Sequence, residues 1–149
     1  MKRTTAREIA MHLSYASVMN PVPAAEQLDL LLDPEHFASL GDEDEAYAEY
    51  PDPKQEDYIR RLASGVTEHG PELDAYIQKY AKNWKFERIS RVCAAILRIA
   101  MYEILYLPEV PYKAAVNEAV NLAKLYEDSA TASFVNGILA SFIREEKRE

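Results

Sequence analysis

Residues 86–107 read Phe-Glu-Arg-Ile-Ser-Arg-Val-Cys-Ala-Ala-Ile-Leu-Arg-Ile-Ala-Met-Tyr-Glu-Ile-Leu-Tyr-Leu. Drawn as a helix, this stretch places Ile89, Val92, Cys93, Ile96, Leu97, Ile99, Ala100, Ile104 and Leu107 around most of its circumference. A helix that is apolar on nearly every side belongs inside a protein, surrounded by other helices. Pro108 and Pro111 end it, because proline lacks the N–H that the next turn needs. An amphipathic helix follows from Pro111 to Tyr126 through Ala115, Val116, Ala119, Val120 and Ala123. The final helix carries Phe134, Val135, Ile138, Leu139, Phe142 and Ile143.

Towards the N-terminus the same three- and four-residue spacing returns. From Lys54, the side chains of Ile59, Leu62, Ala63 and Val66 line one face, and Gly70-Pro71 closes that helix and opens the next. Leu73, Ile77 and Tyr80 give the short helix that follows its apolar face, before Asn83-Trp84-Lys85. The first helix is expected to start at Thr5-Ala-Arg-Glu8, which has the spacing of a capping box. Its stripe is Ala6, Ile9, Ala10, Leu13 and Ala16, and Asn20-Pro21-Val22-Pro23 stops it. Ala24 to Leu32 forms a short second helix. The acidic tract at about 33–53 has no sustained period and reads as a loop with at most one helical turn. The expectation is an all-α fold of about seven helices in one domain spanning 1–149, without a sheet and without the internal repeat of a solenoid.

Composition narrows the function. With 149 residues, 48% of them apolar and 28% charged, the chain has enough apolar material for a core. No apolar run approaches the roughly 20 residues that span a bilayer, and Met1 to Thr5 lack the apolar segment of a signal peptide, so a cytoplasmic protein is expected. The single Cys93 leaves no cysteine pair for a disulfide or a redox motif. The net charge of −8 argues against indiscriminate binding to a polyanion. Acidic side chains crowd Asp42 to Glu45 and Glu49 to Asp57, whereas Lys2, Arg3 and Arg7 form a local basic arm opposed only by Glu8.

No catalytic constellation emerges. His12, His36 and His69 lie in different segments with no metal-ligand spacing, so no metal is expected. Gly41, Gly65, Gly70 and Gly137 cannot make a phosphate-cradling loop or a dinucleotide fingerprint, and no cofactor is expected. Asp42 to Glu45 lacks the spacing and turn glycine of a calcium loop, and charge runs are usually solvated. Cys93 lies on the apolar stripe of the central helix, where a cysteine is an inert small hydrophobe. Aromatic side chains are better supplied, with ten tyrosines. Tyr15, on the first helix beside the basic arm, is the one placed to stack on a base or meet a partner; simple packing stands beside that reading.

In the second half of the chain Ala95-Ile-Leu-Arg-Ile-Ala-Met-Tyr-Glu-Ile-Leu105, Val110-Pro-Tyr-Lys113, Val116-Asn-Glu-Ala-Val-Asn-Leu-Ala-Lys124 and Phe134-Val-Asn-Gly-Ile-Leu139 follow one another with short gaps. This order resembles the NusB family. Thr4-Thr-Ala-Arg-Glu8 and the Tyr58 to Val66 segment are also similar to that family, so only the acidic tract falls outside. The resemblance implies two small helical bundles and a non-catalytic antitermination factor. Such a factor binds the boxA element of nascent RNA with NusE, the ribosomal protein that joins it in the transcription elongation complex. Lys2, Arg3, Thr4, Thr5, Arg7 and the N–H groups of the first helix would then meet RNA phosphates, while single-stranded bases are read by side chains. Lys124, Thr131 and Phe134 are the second expected RNA contact, and Tyr15 the expected partner contact.

Departures from the family pattern carry consequences. Relatives have arginines where Thr4 and Thr5 stand, so the arm alone should bind weakly and with strong salt dependence. Cys93 and Ala130-Thr131 also differ from the usual family residues. Two alternatives stay open: the NusB-like accessory domain of an RNA-modifying methyltransferase, against which the length speaks, and a protein-interaction module without RNA. Homodimerisation through a face otherwise covered by the partner is open too.

Overall fold

The computed structural model describes residues 1–19, 22–82 and 89–147. Among these, eight α-helices and one short 3-10 turn are present, and no strand. In chain order they are α1 (Arg3–Met19), α2 (Ala24–Leu31), α3 (Pro34–Leu40), the 3-10 turn (Glu45–Tyr47), α4 (Pro53–Glu68), α5 (Gly70–Tyr80), α6 (Arg91–Tyr106), α7 (Tyr112–Tyr126) and α8 (Ser129–Glu146). The all-α reading holds, with a helix number close to the expected seven. No helix among the described residues is long and apolar enough to cross a membrane. The chain forms two compact units, Met1–Glu68 and His69–Glu149.

In the first unit α1 packs on α4, and α2 lies against both. The predicted stripes are the buried ones: Ala6, Ile9, Ala10 and Leu13 on α1 face inward, as do Ile59, Leu62, Ala63 and Val66 on α4. The start of α1 differs from expectation. Ala6 N donates to the Lys2 carbonyl at 3.1 Å and the helix begins at Arg3, so Thr5 lies inside the first turn and is not the cap. The chain reaches one more favourable backbone hydrogen bond than the capping box allows for, and Lys2 supplies its acceptor.

The acidic tract is the second correction, since Pro34–Leu40 is helical. Asp33 accepts from His36 N at 3.1 Å and Pro34 occupies the first turn, a strong local start signal. Phe37 is the helix's one buried side chain, and seven residues with one apolar anchor show no period to read. Its ring meets those of Tyr47 and Tyr50 edge-on, both at 5.2 Å between centroids. Tyr47 comes from the 3-10 turn, which Asp44 caps through Ala46 N at 2.9 Å. A hydrogen bond of 2.8 Å between His12 Nδ1 and the Tyr47 hydroxyl ties that turn to α1. At Gly41, a Cβ would lie 2.8 Å from the Tyr47 carbonyl oxygen, so a side chain there would push the turn away.

In the second unit α6 is the hub, packed by α5, α7 and α8. Every residue from Cys93 to Met101 is buried. The expected start at Phe86 lies outside the described residues, and Ile89 and Ser90 precede the helix. Ser90 is extended, with φ −61° and ψ 151°, and its side chain accepts from Cys93 N at 3.0 Å. Arg98, 8% exposed, donates from Nε to Asp74 Oδ1 at 2.6 Å and fastens α6 to α5. Phe142 of α8 has no exposed surface and takes the edges of Tyr76 and Tyr80 at 5.0 and 6.0 Å.

Two outcomes follow from this packing. Phe142→Ala should cost about 3–5 kcal/mol in chemical denaturation, the range for emptying a fully buried aromatic site. Burial holds His12 below its ordinary pKa, so the folded state resists the proton that the unfolded chain accepts. Stability is therefore present above the unfolded pKa of about 6.5 and is lost as pH falls through it. Between about pH 7.5 and 5.5 the wild type should lose more denaturant resistance than His12→Gln.

Candidate nucleic-acid interface

The first unit brings the predicted cations to the first turn of α1, in a form more ordered than an arm. Arg3 and Arg7 are four residues apart and therefore share a face. Both guanidinium groups lie over one ring, that of Tyr58 on α4: Arg3 Cζ is 3.8 Å and Arg7 Cζ 5.5 Å from its centroid. Arg3 Nε also donates to Gln55 Oε1 at 2.9 Å. Arg7 is only 6% exposed, so little of it is presented to a ligand. Lys2 and Thr4 are exposed, and Arg3 and Thr5 half-buried.

Neither Lys2 nor Arg3 has a carboxylate within ion-pair distance among the described residues. Other arginines differ: Arg60 lies 3.3 Å from Asp29, Arg98 2.6 Å from Asp74 and Arg144 3.7 Å from Glu145. An open cavity of about 440 Å³ adjoins this turn, lined by Met1, Lys2, Thr5 and Glu8 from the start of the chain and by Glu45 and Glu49 from the acidic tract. Glu49 is engaged by the Met1 amine at 2.7 Å. Long-range repulsion from these glutamates weakens any anion placed there, and salt screens both that repulsion and the attraction to Lys2 and Arg3. Tyr15, further along α1, is 36% exposed, as a partner contact requires.

The second unit contains the other predicted residues. Thr131 and Phe134, on the first two turns of α8, line a cavity of about 260 Å³ with Ile89, Ser90, Cys93, Glu127, Asp128 and Ala130. Asp128 caps α8 by accepting from Thr131 N at 2.7 Å, and that hydrogen bond holds its carboxyl below the usual carboxylate range. Ser90, the cap of α6, donates its hydroxyl to Glu127 Oε1. Two helix starts and the end of α7 therefore converge on one hollow whose floor is Cys93. Burial pushes the Cys93 thiol up to about 12. Phe134 is half-buried, so part of its ring remains accessible. Lys124, near the end of α7, is exposed and does not line the cavity.

The expected residues Arg3, Arg7, Thr131 and Phe134 lie at these two places beside Gln55, Ser90 and Glu127, which the sequence did not single out. Gln55 sits three residues before Tyr58 on one face of α4, a spacing that was available; its pairing with Arg3, 52 residues away, was not. Among the described residues no three His, Cys, Asp or Glu side chains gather into a metal-binding group.

Residues 4–144 match the NusB family. The chain is 39% identical over 140 residues to the transcription antitermination protein NusB of Ruminiclostridium cellulolyticum, covering 94% of this chain and 87% of that one. It is 34% identical to its counterpart from Clostridium botulinum, covering 96% of this chain and all of the other. Among solved structures, T. maritima NusB superposes with a TM-score of 0.71 at 25% identity, over 97% and 92% of the two chains. A crystal structure of antitermination factors NusB and NusE in complex with dsRNA gives 0.74 at 22% identity, over 95% and 96%.

The environment of Cys93 has a direct chemical consequence. At about pH 8 the folded protein should carry roughly a thousandfold less thiolate than an ordinary cysteine. Alkylation by iodoacetamide, followed by mass spectrometry, should be slow in the native protein and fast in denaturant; equal rates would mean that the hollow opens to its floor.

Proposed function

Because the chain belongs to the NusB family, we propose that it is a non-catalytic cytoplasmic antitermination factor that binds boxA-type single-stranded RNA together with NusE, within the transcription elongation complex. The observation that carries the RNA reading is the first turn of α1, where Lys2 and Arg3 have no carboxylate partner among the described residues of a chain of net charge −8. Cations not neutralised internally are what phosphate binding needs. The first N–H groups of α1 have no intrahelical acceptor and, with Thr4 and Thr5, add neutral donors for the same anion.

In this reading Lys2, Arg3, Thr4 and Thr5 meet the phosphate backbone, and Arg7 contributes charge from beneath. The hollow beside α8 serves bases: Phe134 offers a stacking surface and Thr131 a hydrogen-bonding group, while the exposed Lys124 supports the backbone from α7. Tyr15 belongs to the NusE contact. NusE enters the proposal from the solved complex of the same fold, in which NusB and NusE were crystallised with dsRNA. Glu8, Glu45 and Glu49 beside Lys2 explain why a partner is required, since unaided phosphate binding at this rim is weak.

Fluorescence anisotropy with a labelled boxA-like strand and a scrambled strand, with and without NusE and at two salt concentrations, tests the reading. BoxA should bind more tightly than the scrambled strand, and NusE should strengthen it. Arg3→Ala and Lys2→Ala should each weaken both RNAs and reduce the salt slope by about one. Equal or absent binding to the two RNAs with NusE present would overturn the proposal and leave a helical protein-interaction module.

A further inference from the structure

We propose that Gln55 and Tyr58 of α4 are positioning residues for RNA, holding the Arg3 guanidinium ready for a phosphate without cancelling its charge; this rests on the reading that RNA meets the first turn of α1. Tyr58 is 1% exposed and Gln55 9%, so both belong to the body of the first unit. Gln55 is itself fixed, because its backbone N–H donates to Asp52 Oδ1 at 3.0 Å. Against this rigid base Arg3 is clamped twice, by its Nε–H to Gln55 Oε1 at 2.9 Å and by its Cζ 3.8 Å above the Tyr58 ring.

Both clamps are electrically neutral. A carboxylate in place of the amide would hold the guanidinium more firmly but would neutralise it, as Asp74 does for Arg98. An amide oxygen and a π face fix its plane and leave a full positive charge. The clamp occupies Nε, so the N–H groups of the two terminal nitrogens stay available for a phosphate fork. Arg3 therefore surrenders its rotamer freedom during folding and not during binding, which is the route by which preorganisation raises affinity. In a chain with few basic residues in its first turn, one preorganised arginine substitutes for several mobile ones.

The decisive test is a double-mutant cycle on RNA affinity at low salt, with thermal melts alongside. Gln55→Ala should weaken boxA binding about three- to tenfold with the melt nearly unchanged, and should cause no further loss once Arg3→Ala is present. Tyr58→Phe, which keeps the ring, should bind close to wild type, and Tyr58→Leu should not. Gln55→Glu should keep or raise the melt yet weaken RNA binding, an outcome that a purely structural strut would not produce. If the wild type binds RNA and Gln55→Ala binds equally well, or loses the same factor with and without Arg3, this inference fails while the RNA reading stands. If the wild type itself shows no RNA binding with NusE present, both fall. Should Tyr58→Leu unfold, the Gln55 cycle decides alone.

Discussion

Burial of α6 is the constraint on which the second unit depends. A helix with buried residues from Cys93 to Met101 is stable only when helices cover it on several sides, and α5, α7 and α8 do so. Each of those helices can be less apolar than α6 because it buries one stripe only. Coverage also dictates where the hollow forms. The start of α6 is capped by Ser90, the start of α8 by Asp128, and both caps lie where α7 has just ended. Helices that begin together beside one that ends leave side chains of few turns to fill the gap, and Thr131 and Phe134 are among those that line it.

A different constraint governs the first unit, where an acidic chain has to keep some cations away from its own carboxylates. A mobile acidic loop would be free to pair its carboxylates with Lys2 and Arg3 as Glu49 does with the Met1 amine. Its folding into α3 and the 3-10 turn prevents this: Phe37, Tyr47 and Tyr50 anchor the segment internally, and the His12 to Tyr47 hydrogen bond sets its distance from α1. Glu45 and Glu49 are thereby held at the rim of a cavity opposite Lys2 and form no ion pair with it. The tract carries none of the motifs on which the resemblance in sequence rested, yet it lies within the residues that match the family and adds its glutamates to the surroundings of the first turn of α1.

What the sequence made legible follows from the physics of each signal. Stripes repeated over four turns were readable, hence the correct faces of α1 and α4 and the central place of α6. α3 was not, because seven residues around Phe37 complete no repeat. The capping-box spacing at Thr5 and Glu8 was a real local pattern, overruled because the helix extends back to the Lys2 carbonyl. For the site, the family resemblance pointed to RNA at Arg3, Thr131 and Phe134, but the state of those side chains did not follow from it. Arg7 looks identical to Arg3 in sequence and is nearly buried in the structure.

That difference bears on how an acidic protein of net charge −8 would meet a polyanion in the proposed reading. Counting cations treats Lys2, Arg3 and Arg7 as three equal contributors to a mobile arm. Packing instead gives them three states: Lys2 exposed, Arg3 held against Gln55 and Tyr58, and Arg7 buried near the same ring as Arg3. Mobile charges supply attraction that depends steeply on salt, whereas a fixed guanidinium adds geometric selectivity that salt screens less. A surface built this way discriminates by the placement of one phosphate relative to the helix start. In the proposed reading, a partner and bases read elsewhere complete the affinity that its net charge withholds.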